Sequence, residues 1–149
     1  MRQLQHMTAE LAADVVAIEQ VLYRYAYALD ARDYDALDEV FAADARLHAS
    51  GGTLMSPAQY KEMCATELPK LDATHHVVTN TTITVDGNYA TARAYFQAQH
   101  VKNSMAPNGQ FLMAGWVDDE LDRRPEGWRI TERRWHSSWS SGNPAVLGR

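Results

Sequence analysis

Asp30 closes a long amphipathic segment, and further along the chain come two adjacent histidines, His75 and His76, and a third, His100. A neutral imidazole, with an intrinsic pKa of about 6.5, takes a proton at neutral pH; a buried carboxylate on its other nitrogen fixes the tautomer and stabilises the cation that forms. Tyr23, Tyr25 and Tyr27 lie on the same segment as Asp30 and add phenols able to hydrogen-bond a developing oxyanion. These residue types suit proton transfer to and from carbon. The chain lacks G-x-S-x-G, Walker, dinucleotide-binding glycine and H-E-x-x-H patterns, and adjacent histidines point to opposite faces of a regular strand. No metal and no cofactor is therefore expected.

The elements that must position these groups read in order. Residues 1–7 form a loose lead-in; Thr8 caps a helix with Glu10 in its first turn, predicted to run to about Ala31. Val15, Ile18, Leu22, Tyr25 and Leu29 make one buried stripe, and Tyr23, Tyr27 and Asp30 a neighbouring one. Asp33 caps a second helix over Tyr34–Phe41, Ala45–Ala49 reads as a short strand, and Ser50-Gly51-Gly52 as its turn. Ser56-Pro57 opens a third helix through Leu68, closed by Pro69.

Beyond this the texture changes to strands. Thr74–Val85 is rich in β-branched residues, and Asp86-Gly87-Asn88 is a hairpin turn. Tyr89–Asn103 alternates, with Ala90, Ala92, Ala94, Phe96, Ala98 and His100 on one face, and its small alanines leave space for a pocket. Gln110–Arg123 and Trp128–Trp139 are the last strands, followed by a short, turn-rich tail over residues 141–149. Three helices and then four long strands predict one α+β domain over residues 1–149, an antiparallel sheet wrapped around the helices. Strict alternation groups His75 with Val77, Ile83 and Val85, so selecting His76 as the pocket histidine requires a bulge.

With 149 residues, 46% of them apolar and 22% charged, there is material for one real core and no room for a second domain. A net charge of −5 with no basic stripe argues against a nucleic-acid partner, and no apolar run approaches a membrane span. A single cysteine, Cys64, excludes an intrachain disulfide and suits a cytoplasmic location. The expected partner is a small hydrophobic molecule.

The stretch YRYAYALDARDYDALDEVFAADARLHASG, the T-x-H-x-x-x-N segment at Thr74-His76-Asn80 and the G-W-R-I-x-x-R strand at Gly127–Arg133 resemble the SnoaL-like branch of the nuclear-transport-factor-2-like superfamily. The resemblance implies a cone: three N-terminal helices in a strongly curved antiparallel sheet around a deep pocket. It also implies a homodimer or higher assembly through the sheet, and cofactor-free acid–base chemistry.

The Asp–His dyad of scytalone-type dehydratases and of the hexachlorocyclohexane dehydrochlorinase maps onto Asp30 and His76, and the dehydratase's second pocket histidine onto His100. Its pocket tyrosines fall on Leu29 and Ala49. The oxyanion-binding tyrosine of ketosteroid isomerase aligns with Tyr25, but the isomerase's carboxylate base falls on Ala49. On this resemblance His76 is the base, Asp30 its orienter and His100 the proton donor to a leaving group. Tyr23, Tyr25, Tyr27, Asn80, Phe96, Trp116 and His136 are candidate substrate contacts. The expected reaction is a dehydratase-type elimination on a cyclic or aromatic hydroxylated compound. Polyketide cyclase, isomerase and ligand-binding module are the alternatives.

Overall fold

The structure, a computed structural model, describes residues 4–149. Helix α1 (Ala9–Asp30) starts where the Thr8 hydroxyl accepts from the Leu11 amide. Its stripe of Ile18, Leu22, Tyr25 and Leu29 is buried, while Val15 is half-buried. Arg32, at a φ of 61°, breaks the helix, and the Asp33 side chain caps a 3-10 helix over Tyr34–Glu39. That element is shorter than the predicted helix: Phe41 opens strand β1 (Phe41–His48) opposite Ile130, because sheet pairing overrides the local pattern there.

After the two-residue strand β2 (Leu54–Met55), a Ser56/Gln59 capping box starts α2 (Pro57–Glu67). The chain then tightens into a 3-10 turn over Leu68–Lys70. The α-helix thus stops at Glu67 with Leu68 as its C-cap, one residue short of the expected end, and Pro69 follows in the turn, where its missing N–H costs nothing.

Strands β3 (Ala73–Asp86), β4 (Tyr89–Val101), β5 (Gln110–Arg124) and β6 (Gly127–Gly142) complete one sheet of order β2-β1-β6-β5-β4-β3. Every pairing is antiparallel except β1 with β6. Of its four register slips, one on β1 and three in the antiparallel pairs, the latter three each add a single residue to one strand. On β3 the register slips between Thr79 and Thr82, three residues stepping against two on β4, with Asn80 at a φ of 54°. On β6 the register slips at Thr131 and again at Ser138.

The second β6 slip brings Gly115 against the backbone of His136, where a Cβ would lie 1.8 Å from the carbonyl oxygen. Gly115→Ala is therefore expected to destabilise the fold by about 3 kcal/mol, read as a lowered denaturation midpoint. An unchanged midpoint would show that this stretch of sheet yields freely.

Both flanking segments of the described chain are tied to the sheet. Of the lead-in, residues 1–3 lie outside the described residues, but the Gln5 amide both donates to and accepts from the Val85 backbone, covering the open edge of β3. The tail is not loose either: a 3-10 helix over Pro144–Leu147, capped by Asn143, packs against β4 and β5 and leaves Val146 only 3% exposed. No helix among the described residues is long and apolar enough to cross a membrane.

Candidate active site

Asp30, the last residue of α1, meets the start of β3. Its Oδ1 lies 2.7 Å from His76 Nδ1 and accepts from the Thr74 hydroxyl at 3.0 Å, while Oδ2 accepts the His76 backbone N–H at 2.9 Å. One carboxylate thus fixes both the strand and the ring. Burial pushes the Asp30 carboxyl up, but hydrogen bonds from the His76 ring and amide, the His76 charge and the Thr74 hydroxyl together outweigh it and leave it below its ordinary value. In the neutral imidazole the Nδ1–H donates to the Asp30 carboxylate, which leaves the lone pair on Nε2.

His76 lines a cavity of about 540 Å³, whose apolar wall includes Leu29, Val78, Phe96, Ala98, Met113 and Val117. Of the alanines on β4, Ala98 opens into it; Ala90, Ala92 and Ala94 are packed in the core. His75 is exposed, as alternation past a bulge requires: the extra residue at Asn80–Thr81 puts even-numbered His76 and Val78 on the same face as odd-numbered Ile83 and Val85.

His100, 5% exposed, also lines the cavity, its ring centroid 6.0 Å from that of His76. Its Nδ1 lies 3.1 Å from the Phe111 carbonyl oxygen, which only accepts, so Nδ1 carries the proton. Burial, the largest influence, lowers its pKa and keeps the ring neutral. Nε2 of His100 is then an acceptor, which changes its expected role as proton donor.

The far wall holds groups that the sequence reading passed over. Tyr60 of α2 shares a 2.7 Å hydrogen bond with the Tyr25 hydroxyl. Burial pushes the Tyr25 phenol up to about 12 and Tyr60 well above its ordinary value, so both stay protonated. Beneath them Arg133, 2% exposed, makes two 2.7 Å hydrogen bonds to Asp119 and sets its guanidinium 4.5 Å from the Tyr25 ring centroid. Signals for both existed. Tyr60 and Cys64, at i and i+4, are the two buried positions of α2, and Arg133 ends the G-W-R-I-x-x-R motif.

Five expected substrate contacts lie elsewhere. Tyr27 is 71% exposed and Tyr23 half-buried outside the cavity, because the α1 face turned to it is that of Tyr25 and Leu29. Asn80 is exposed in the β3 bulge. Trp116 and His136 stack on the opposite face of the sheet, centroids 4.9 Å apart. The bulge at Thr131 reverses parity along β6, so Arg133 and Trp135 point inward and His136 does not share the face of Trp128 and Ile130. Among the described residues no three His, Cys, Asp or Glu side chains converge as metal ligands.

A curled six-stranded sheet closed over helices around one deep cavity is the nuclear-transport-factor-2-like, or cystatin-like, fold. The chain belongs to the SnoaL-like domain family, whose model matches residues 10–134. It is 34% identical over 127 residues to an uncharacterized protein of Mycobacterium tuberculosis, covering 81% of this chain and 83% of that one. It superposes with a TM-score of 0.81 on a provisionally named scytalone dehydratase from Novosphingobium aromaticivorans, at 21% identity, covering 96% and 99% of the two chains. A type 2 hexachlorocyclohexane dehydrochlorinase, LinA, gives a TM-score of 0.77 at 17% identity, covering 94% and 95%. At these identities the structural likenesses establish the shared fold.

Proposed function

We propose that this protein is a cofactor-independent lyase that eliminates water from a small, hydrophobic, cyclic or aromatic hydroxylated compound. The observation that carries this is the 2.7 Å contact of Asp30 with His76 Nδ1, which leaves Nε2 as the basic nitrogen on a largely apolar cavity.

In the proposed reaction, His76 Nε2 takes a proton from the carbon next to a carbonyl, and Asp30 stabilises the imidazolium. The electron pair moves toward the carbonyl oxygen, which the Tyr25–Tyr60 hydroxyl pair hydrogen-bonds as charge develops. The β carbon–oxygen bond then breaks, and the imidazolium returns its proton to the departing hydroxide. Water and an unsaturated ketone form, and His76 is neutral again. His100, neutral with an accepting Nε2, orients the substrate hydroxyl rather than protonating it.

An isomerase or cyclase using the same dyad is the alternative. Ala49 lines the cavity without a side chain able to take a proton, so an isomerase would have to rely on His76 alone as base. Mass analysis of products from a panel of hydroxylated cyclic ketones separates the readings. Elimination predicts the loss of one water, and a product of unchanged mass would refute it.

A further inference from the structure

The chain carries a net charge of −5, yet the charged side chains lining the outer part of its cavity are mostly cationic. Lys70, Lys102 and Arg149 line it from three places: the turn after α2, the end of β4 and the tail. Among the described residues Glu67 is the one acidic side chain that lines it with them, and it is paired to Lys70 at 2.9 Å. Lys102 and Arg149 form no ion pair among the described residues. The neighbouring Asp72 accepts the Asn103 backbone N–H at 2.7 Å and does not line the cavity. Deeper in, Arg133 is already neutralised by Asp119. Two cationic side chains with no side-chain carboxylate as partner therefore stand at a largely apolar hollow, an arrangement that favours a positive field at its entrance.

We propose, taking this cavity as the substrate site, that its mouth selects compounds bearing an acidic group, carboxylate or phosphate, on an apolar ring. Lys102 and Arg149 hold the acid, and the ring lies among Leu29, Phe96 and Met113. The end of the ring remote from the acid is thereby directed toward His76. A neutral compound of the same shape gains the burial but not the orientation.

Three probes of one ring skeleton test this by calorimetric titration of the intact protein: naphthol, naphthoate and naphthyl phosphate of the same isomer. At low salt the better acid is expected to bind at least about tenfold more tightly than naphthol, with the advantage shrinking in molar salt. Preference for naphthoate assigns a carboxylic acid substrate, and preference for the phosphate assigns a phosphorylated one. Lys102→Gln combined with Arg149→Gln should bring the ratio close to unity while the affinity for naphthol stays put; both side chains are solvent-accessible, so the fold tolerates the exchange.

Naphthol binding as tightly as both acids, no binding by any of the three, or selectivity that survives the double substitution would each overturn the assignment. Asp30→Asn leaves these charges alone, so acid selectivity that persists while the dyad proves irrelevant to turnover would sink the elimination chemistry and leave the specificity standing.

Discussion

Asp30→Asn and His76→Ala, made separately, are each expected to cut turnover at least about a hundredfold with the circular dichroism spectrum preserved. His76→Ala removes the base itself. Asp30→Asn acts through it: a neutral amide no longer stabilises the imidazolium, and its NH₂ can donate to Nδ1, favouring the tautomer whose Nε2 already carries a proton. The Thr74 and His76 backbone contacts can be kept in part by the amide oxygen, which is why the fold should survive the change that disables the chemistry.

The pH dependence has a defined sign. The Asp30 carboxyl titrates below its ordinary value in the folded chain, so the stability it contributes is fully present above about pH 3.9 and is lost as acid carries the solution down through the folded value. His100, also shifted down, acts in the same direction at higher pH: its contribution is complete above about pH 6.5 and declines below that. Acid should therefore weaken the fold, and the Asp30→Asn chain should lose the lower part of that dependence. Full turnover in both variants would remove the basis for the dyad.

Asp119→Ala is expected to cost about 3–5 kcal/mol of stability, the largest effect of any single replacement away from the dyad. The Arg133 guanidinium is buried among Tyr25, Phe41 and Trp135 with Asp119 as its bidentate partner. Burial opposes its charge, and the contact with Asp119 more than offsets this and holds its pKa above the ordinary value. Without the carboxylate, the cation must stay uncompensated in a dry site or draw water into the wall behind Tyr25. Arg133→Met combined with Asp119→Leu removes both charges and should recover most of the loss, since well-packed apolar side chains replace a buried pair at little cost. Denaturant midpoints read both outcomes, and a stable Asp119→Ala chain would show that the pair carries no structural weight.

The order and type of the elements could be read from the residues alone because their signals are local. Thr8, Asp33 and the Ser56/Gln59 pair each cap the start of a helix, Gly87 turns a hairpin at a φ of 60°, and alternating alanines mark the inner face of β4. The sequence also placed Asp30 at the end of α1, where it can meet a strand. Which side chains meet inside was decided by tertiary structure. Each bulge adds one residue and inverts a strand's parity from that point on, and its position depends on how the sheet must curl, which alternation does not encode. Hence the slip at Asn80–Thr81 turned His76 rather than His75 inward, and the slip at Thr131 did the same for Arg133 and Trp135 while sending His136 to the opposite face. The Tyr25–Tyr60 hydrogen bond joins residues 35 apart, and the tail reaches the cavity from the far end of the chain, so no local pattern announces either.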